Sequence, residues 1–194
     1  MEIHNLLDQA FKKNDFITLH EAQELNISPM QLTRLVADEK LFRVERAVYA
    51  QNIDWLTDPL KKYAPVCTLI PEAIISGISA LTYYNLTDQE EQQTGLTVPF
   101  YQKLKDPRFR VTRARGLNYT LGVTKHFFGK HEVRIYDMEK SVVDAFKYQT
   151  EEVAFKALKG YLKHEDKDVS KLCDYARKMR KPLNVIVTAL LADG

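Results

Sequence analysis

The chain of 194 residues has only two cysteines, Cys67 and Cys173, far apart and with no metal-binding spacing around them. Two buried free thiols in a reducing cytoplasm are expected, rather than a disulfide framework or a metal site. No apolar run approaches the ~20 residues of a membrane-spanning helix, so no membrane partner is expected. The opening MEIHNLLDQAFKK lacks the basic start and apolar centre of a signal peptide and reads as an amphipathic helix. Internal repeats and low-complexity segments are missing. So are a glycine-rich phosphate loop, a His-Glu-x-x-His helix and a paired-cysteine motif. The expectation is a non-enzymatic protein with no catalytic residues, no metal and no cofactor.

What is present is an ordinary globular composition, 45% hydrophobic and 28% charged, long enough for one large domain or two small ones. The net charge of +2 hides an uneven distribution. Residues 1–50 carry six Lys+Arg against eight Asp+Glu, and residues 51–98 carry two against six. Residues 99–134 carry nine basic and two acidic residues, a net of +7, and residues 135–194 are nearly balanced. The middle of the chain therefore holds the electrostatic signal.

The densest local signal is FITLHEAQELNISPMQLTRLVADEKLFRVERAVYA, residues 16–50. Thr18 and Glu21 form a Thr-x-x-Glu capping box, which predicts a helix from about Leu19 to Leu25. Ser28 and Gln31 form a second box with Pro29 at the first helical position, predicting a helix over 29–40. LFRVERAVYA alternates like a small hairpin. Two boxed helices followed by a hairpin read as a winged helix-turn-helix, whose partner is duplex DNA. Leu32, Leu35 and Val36 fall on the core face of the second helix, leaving Met30, Gln31, Thr33, Arg34 and Ala37 outward. Gln31, Thr33 and Arg34 are the candidates for base contacts, and Lys40, Arg43 and Arg46 for phosphates. The alternative is a winged-helix protein-interaction module, to which the acidic balance of residues 1–50 gives weight.

The expected organisation is α+β: a winged helix-turn-helix at 1–50, a connector at 51–70 anchored by Trp55, and a mixed domain at 71–194 with a small antiparallel sheet and a C-terminal helical bundle. A short helix follows Asp58-Pro59, capped by Thr57 or Asp58. Residues 71–86 are read as one helix beginning at Pro71, with Ile74, Ile75, Ile78, Leu81 and Thr82 apolar and Gly77 in its middle. TGLTVP, RFRVTR, VTKHFFG and EVRIY, within 94–136, read as an antiparallel sheet or meander. Its basic residues Lys103, Lys105, Arg108, Arg110, Arg113 and Arg115 form a candidate surface for nucleic acid or for an acidic partner protein. Over 138–192 four helices are expected: one marked by Val142, Val143 and Phe146, one by Val153 to Leu162, one by Leu172 to Met179, and one opened by Pro182 with Ile186, Val187, Leu190 and Leu191 buried.

With ITLHEAQELNISPMQLTRLVADEKLFRVERAVYA, then PEAIISGISALTYYNLTDQ and TGLTVP, then VRIYDMEKSVVDAFKY and VAFKALKGYL, the chain resembles the AbiEi family over nearly its whole length. These are the antitoxin and transcriptional-regulator halves of AbiE-type (type IV) toxin–antitoxin systems, implicated in phage defence. The resemblance implies an N-terminal domain that binds operator DNA at inverted repeats and represses its own operon. It implies a C-terminal domain required to neutralise a cognate nucleotidyltransferase toxin, with or without a stable complex. Two departures stand out. Ala47 occupies the wing turn where the family often has Gly, and QTEE after Tyr148 replaces a basic, Gly-containing stretch.

Two histidines, His126 and His131, flank Gly129 in an expected hairpin and are read as surface or half-buried groups. Lys140 and Asp144 stand i, i+4 on one helix. They read as an ordinary surface pair, as a pair that holds the helix against the sheet, or, with Glu139, as part of a metal-dependent nuclease site. The three function classes are thus a DNA-binding antitoxin, a module that sequesters the toxin directly, and a nuclease.

Overall fold

A computed structural model describes residues 3–12, 14–181 and 183–192. The fold is mixed α+β with two sheets, of three and five strands. It divides into two compact units: Met1–Pro71 with Phe127–Val133, and Glu72–His126 with Arg134–Gly194.

The first unit begins with the amphipathic helix α1 (Ile3–Phe11) and the short strand β1 (Ile17–Thr18). Helices α2 (Leu19–Glu24) and α3 (Pro29–Ala37) follow, each opened by the expected capping box. The Thr18 hydroxyl accepts from the Glu21 amide at 3.2 Å while the Glu21 carboxylate accepts from the Thr18 amide at 2.7 Å. Ser28 and Gln31 repeat the exchange at 3.3 and 2.8 Å. Both helices end in a Schellman turn. Asn26 (φ 62°) closes α2 and Glu39 (φ 56°) closes α3, with the amides of Ile27 and Lys40 returning to the carbonyls of Ala22 and Leu35. That turn stops α3 at Ala37, so Lys40 lies beyond the helix expected to include it.

Strands β2 (Phe42–Glu45) and β3 (Val48–Ala50) form the expected hairpin and join β1 in the antiparallel order β1-β3-β2. The register slips between Arg43 and Glu45. Ala47, in the turn, adopts φ 60°, and its carbonyl accepts the otherwise orphaned amide of Leu19 at 2.8 Å. An alanine there is strained by about 1–2 kcal/mol relative to its ordinary conformations. Leu7, Ala10, Ile17, Ala22, Ile27, Leu32, Leu35, Leu41 and Tyr49 make the core between these elements.

Residues 51–70, read as a connector with a short helix after Asp58-Pro59, are helical in short pieces. They form two 3-10 turns (Asp54–Thr57 and Lys61–Tyr63) and α4 (Ala64–Leu69). Asp58 caps the second turn, accepting from the amides of Leu60 and Lys61. Trp55 is buried against Phe16, ring centres 5.6 Å apart.

The second unit departs from expectation in its sheet. Residues 71–86 do not form one helix. Ile74–Ile75 is strand β4, fully buried, and α5 runs only over Gly77–Tyr83. Gly77 starts that helix with φ 59° instead of weakening its middle. Strands β5 (Thr94–Pro99), β6 (Phe109–Ala114), β7 (Val123–Phe128) and β8 (His131–Tyr136) complete the order β6-β5-β4-β8-β7. The sheet is mixed, not antiparallel: β4 pairs antiparallel with β5, but β5 with β6 and β4 with β8 are parallel. Residues 100–108 carry the chain back along β5, a distance that nine extended residues at about 3.3 Å each can span without a helix. The close packing of β5 on β4 requires Gly95, since a Cβ there would stand 2.2 Å from the Ser76 carbonyl oxygen.

Helix α6 (Leu117–Thr120) is a single turn between β6 and β7. Then come α7 (Met138–Tyr148), α8 (Glu151–Lys163), α9 (Val169–Lys178) and α10 (Asn184–Ala192), whose apolar stripes meet in one core around Val142, Val143, Leu158, Leu172 and Ala176. The expected stripes face this core, with Val142, Val143, Leu158, Leu172 and Val187 buried but Phe146, Leu162, Tyr175, Ile186 and Leu190 only partly so. Pro182 and the side chain of Leu191 lie outside the described residues.

Candidate nucleic-acid interface

The outward face of α3 follows from its 3.6-residue period. Leu32 and Leu35 are buried, Val36 is half-buried, and Met30, Gln31, Thr33, Arg34 and Ala37 are exposed. Exposure does not make them equally available. The Gln31 carbonyl oxygen is spent on the Ser28 amide, which removes the acceptor half of a bidentate contact to adenine. The Thr33 hydroxyl donates to the Pro29 carbonyl at 3.0 Å, leaving only its lone pairs. The Arg34 side chain has no hydrogen bond or ion pair among the described residues, and its guanidinium keeps all five donors.

Lys40, Arg43 and Arg46 are also exposed, and among the described residues their side chains carry no ion pair. Lys40 leaves the Schellman turn at the end of α3, Arg43 sits on β2, and Arg46 is in the β2–β3 turn beside the strained Ala47. Asp38 and Glu39 follow α3 and are exposed beside Lys40, while two other carboxylates of the unit are engaged elsewhere. Glu21 joins its capping box and an ion pair with Lys130, and Asp15 pairs with Lys61 at 2.6 Å. Burial acts against ionised Glu21, but Lys130 and the Thr18 donors outweigh it, and its pKa lies below the usual carboxylate value.

The six basic residues predicted in the second unit are all exposed, but they are not equivalent. Arg108 is held by Asp106 through two parallel bonds of 2.9 and 2.6 Å. Arg110 lines a cleft of about 600 Å³ together with Ser76, Gly95, Thr112, Tyr148 and Gln149. Arg113 and Arg115 lie at the other end of β6, with Lys103 and Lys105 on the 100–108 return. The Arg115 guanidinium stands 5.7 Å from the centre of the Phe100 ring. Phe100 and Tyr101, 61% and 72% exposed, were not foreseen as part of this surface. Their position directly after Pro99, between a strand and an alternating lysine segment, is the signal that would have found them.

Lys140 and Asp144 do pair, but not at the surface: their side chains are 0% and 8% exposed. The Lys140 ammonium also stands 4.1 Å from the centre of the Tyr136 ring, and one Asp144 oxygen, Oδ1, is buried without a partner. Burial pushes the Lys140 pKa down and the Asp144 pKa up, each opposed by the other's charge. Beside them, Asp137 caps α7 through the Lys140 amide at 2.8 Å. Lys171 bridges Asp137 and Glu139 at 3.1 and 2.8 Å, and the Tyr161 hydroxyl donates to Glu139 at 3.0 Å. Gly122 (φ 70°) packs here because a Cβ would fall 2.6 Å from the Lys140 Cβ. The motif is a charged structural cluster locking α7 to α9. Among the described residues no three His, Cys, Asp or Glu side chains converge as metal ligands.

His131 is buried, not a surface group. It stacks on Phe16 with ring centres 4.0 Å apart, and its Nδ1 lies 3.0 Å from the Thr68 hydroxyl. That hydroxyl donates to the Ala64 carbonyl, so Nδ1–H is the donor to Thr68 and Nε2, unpartnered, carries the lone pair. Burial lowers its pKa, with Glu21 and Asp15 opposing and Lys130 reinforcing. His126 is half-buried. Cys67 and Cys173 are free thiols, the first buried and the second half-buried. No helix among the described residues is long and apolar enough to cross a membrane.

Comparison with protein-family models and with curated proteins finds no match to this chain.

Proposed function

We propose that the chain is an AbiEi-like antitoxin and autorepressor: a non-enzymatic, cytoplasmic DNA-binding regulator that neutralises a cognate nucleotidyltransferase toxin. The first unit acts as a winged helix-turn-helix, with α3 in the major groove and the β2–β3 turn as the wing. The observation that carries this reading is the set of four exposed cations with no ion pair among the described residues, Arg34, Lys40, Arg43 and Arg46, on and beside one capped helix. Arg34 is the base reader, suited to the O6 and N7 of guanine. Lys40, Arg43 and Arg46 hold phosphates and fix the register. Thr33 accepts from a base or a water, and Gln31 contributes at most its amide donor. The resemblance places operator half-sites in inverted repeats and assigns toxin neutralisation to the second unit.

The test is fluorescence anisotropy on the DNA upstream of its own gene and on a scrambled duplex, at about 150 mM salt, where nonspecific binding is weak. Tight and upstream-selective binding is expected. Equal, weak binding to both duplexes would overturn the DNA-reading assignment. Copurification of a neighbouring toxin with a protein that ignores the upstream duplex would instead favour direct sequestration. Lys140 pairs with Asp144 inside the fold, and the nuclease reading has no ligand set to rest on among the described residues.

A further inference from the structure

The second unit has a surface that the α3 reading does not use. It is built where the parallel strands β5 and β6 end together, with Pro99 opposite Ala114 in register. Phe100 and Tyr101 follow β5; Arg115 and Leu117 follow β6. All four are exposed, Phe100 at 61%, Tyr101 at 72% and Leu117 at 54%. Large apolar groups exposed side by side are the mark of an interaction surface. They are fixed in place, not loose: the Tyr101 hydroxyl donates to the Glu72 carboxylate, Tyr119 donates to the Glu72 carbonyl at 2.6 Å, and Arg115 lies beside Phe100.

The return from β5 extends this surface. Tyr101, Lys103 and Lys105 are exposed, while Gln102, Leu104 and Asp106 between them are half-buried. This period-2 alternation puts a ring and two ammonium groups along one outward side, about 7 Å apart in an extended chain. Arg113 on the edge strand β6 and Arg115 just beyond its end repeat the two-residue spacing. The nearby carboxylate of Asp106 is already spent on Arg108. Lys103, Lys105, Arg113 and Arg115 have no ion pair among the described residues.

We infer that this surface binds an unpaired nucleic-acid strand, for which RNA is the probe, with Phe100 and Tyr101 as stacking platforms and Lys103, Lys105, Arg113 and Arg115 on the phosphates. The charge selects a polyanion. The rings select an unpaired one, because bases inside a duplex are stacked on each other and offer no free face to an exposed aromatic side chain. Sequence preference is weak, since no array of fixed amide or carbonyl groups surrounds the rings. The site is independent of α3 and does not rest on the operator-binding proposal.

The test is anisotropy of the full chain with a labelled, unstructured RNA of roughly 12 nucleotides and with its duplex form, within the footprint of one such face. The wild-type protein is expected to prefer the single strand. Phe100→Ala with Tyr101→Ala should weaken that binding about tenfold or more, the stacking of one or two bases. Lys103→Gln with Lys105→Gln should shallow the single-strand salt dependence by about one unit. All four positions are exposed, and unchanged circular dichroism and unfolding midpoints would verify that each variant folds. Retained RNA affinity in the double aromatic variant overturns the inference, as does equal affinity for both RNA forms. An oligoglutamate peptide that binds with the aromatic dependence while the RNA does not would overturn it in favour of an acidic protein partner.

Discussion

Helices α3 and α7 both present charged and polar side chains from a boxed or capped first turn, and they use them in opposite ways. On α3 the uncharged groups are consumed by the fold: Gln31 and Ser28 close the cap, and Thr33 bonds back to Pro29. The cation Arg34 is left to solvent. On α7 the charges themselves are consumed: Lys140 is fully buried on Asp144, and Glu139 is 4% exposed beneath Lys171 and Tyr161. Residue type therefore does not tell a cation left to solvent from a structural one. What separates Arg34 from Lys140 is whether the fold has already supplied the counter-group.

The comparison breaks most visibly in stability. Lys140→Met leaves a buried carboxylate without its partner and is expected to cost about 3–5 kcal/mol, read as a lower urea midpoint. Replacing both members, Lys140→Met with Asp144→Leu, should recover most of that loss. Arg34→Ala should change stability by no more than about 0.5 kcal/mol, because nothing in the fold depends on it. A Lys140→Met protein as stable as the wild type would mean that the buried pair is not structural.

A second contrast lies in pH. His131 is neutral in its buried stack, with a pKa below the ordinary 6.5, so the unfolded chain binds a proton more readily. Its contribution is therefore full above about 6.5 and declines as pH falls below that value toward the lowered native pKa. Unfolding midpoints measured from pH 7.5 to 5 should fall, and His131→Phe, which keeps the ring on Phe16, should flatten the decline. A profile unchanged by that substitution would contradict the buried neutral histidine.

Smaller effects sharpen the description of the α3 region. Ala47→Gly relieves the left-handed turn and should raise stability by about 1 kcal/mol, even though glycine is ordinarily the costlier residue. Arg43→Ala should weaken binding to every duplex alike and reduce the salt slope by about one unit, the loss of a single phosphate contact. Selective loss on the upstream duplex would move Arg43 from the phosphate set to the base readers.

The starts of α2 and α3 were legible because Thr18, Glu21, Ser28 and Gln31 act on backbone amides three residues away, and so was the end of α2 near Leu25. The end of α3 was not. The left-handed positions that close α2, α3, α5 and α9 are held by Asn26, Glu39, Asn85 and Arg180, none of them glycine. Ile74 and Ile75 fit a helical stripe with Ile78 and Leu81, yet they form a central strand, because a two-residue apolar run carries no period of its own. The parallel pairing of β5 and β6 depends on a return through residues 100–108, which local alternation does not encode. In the candidate sites the positions of the cations were readable. Their availability was not, since the Asp106 grip on Arg108 and the burial of Lys140 arise only in the fold. Phe100 and Tyr101 drew no reading from the sequence, because their exposure follows from β5 ending at Pro99.

The most direct measurement is the ratio of affinities for upstream and scrambled duplex, taken for the wild type and for Arg34→Ala under the same salt. The account predicts a marked preference in the wild type, reduced by about 1–3 kcal/mol in the variant while scrambled-duplex binding changes little. An Arg34→Ala protein that discriminates as well as the wild type would contradict the assignment of α3 as the element that reads DNA.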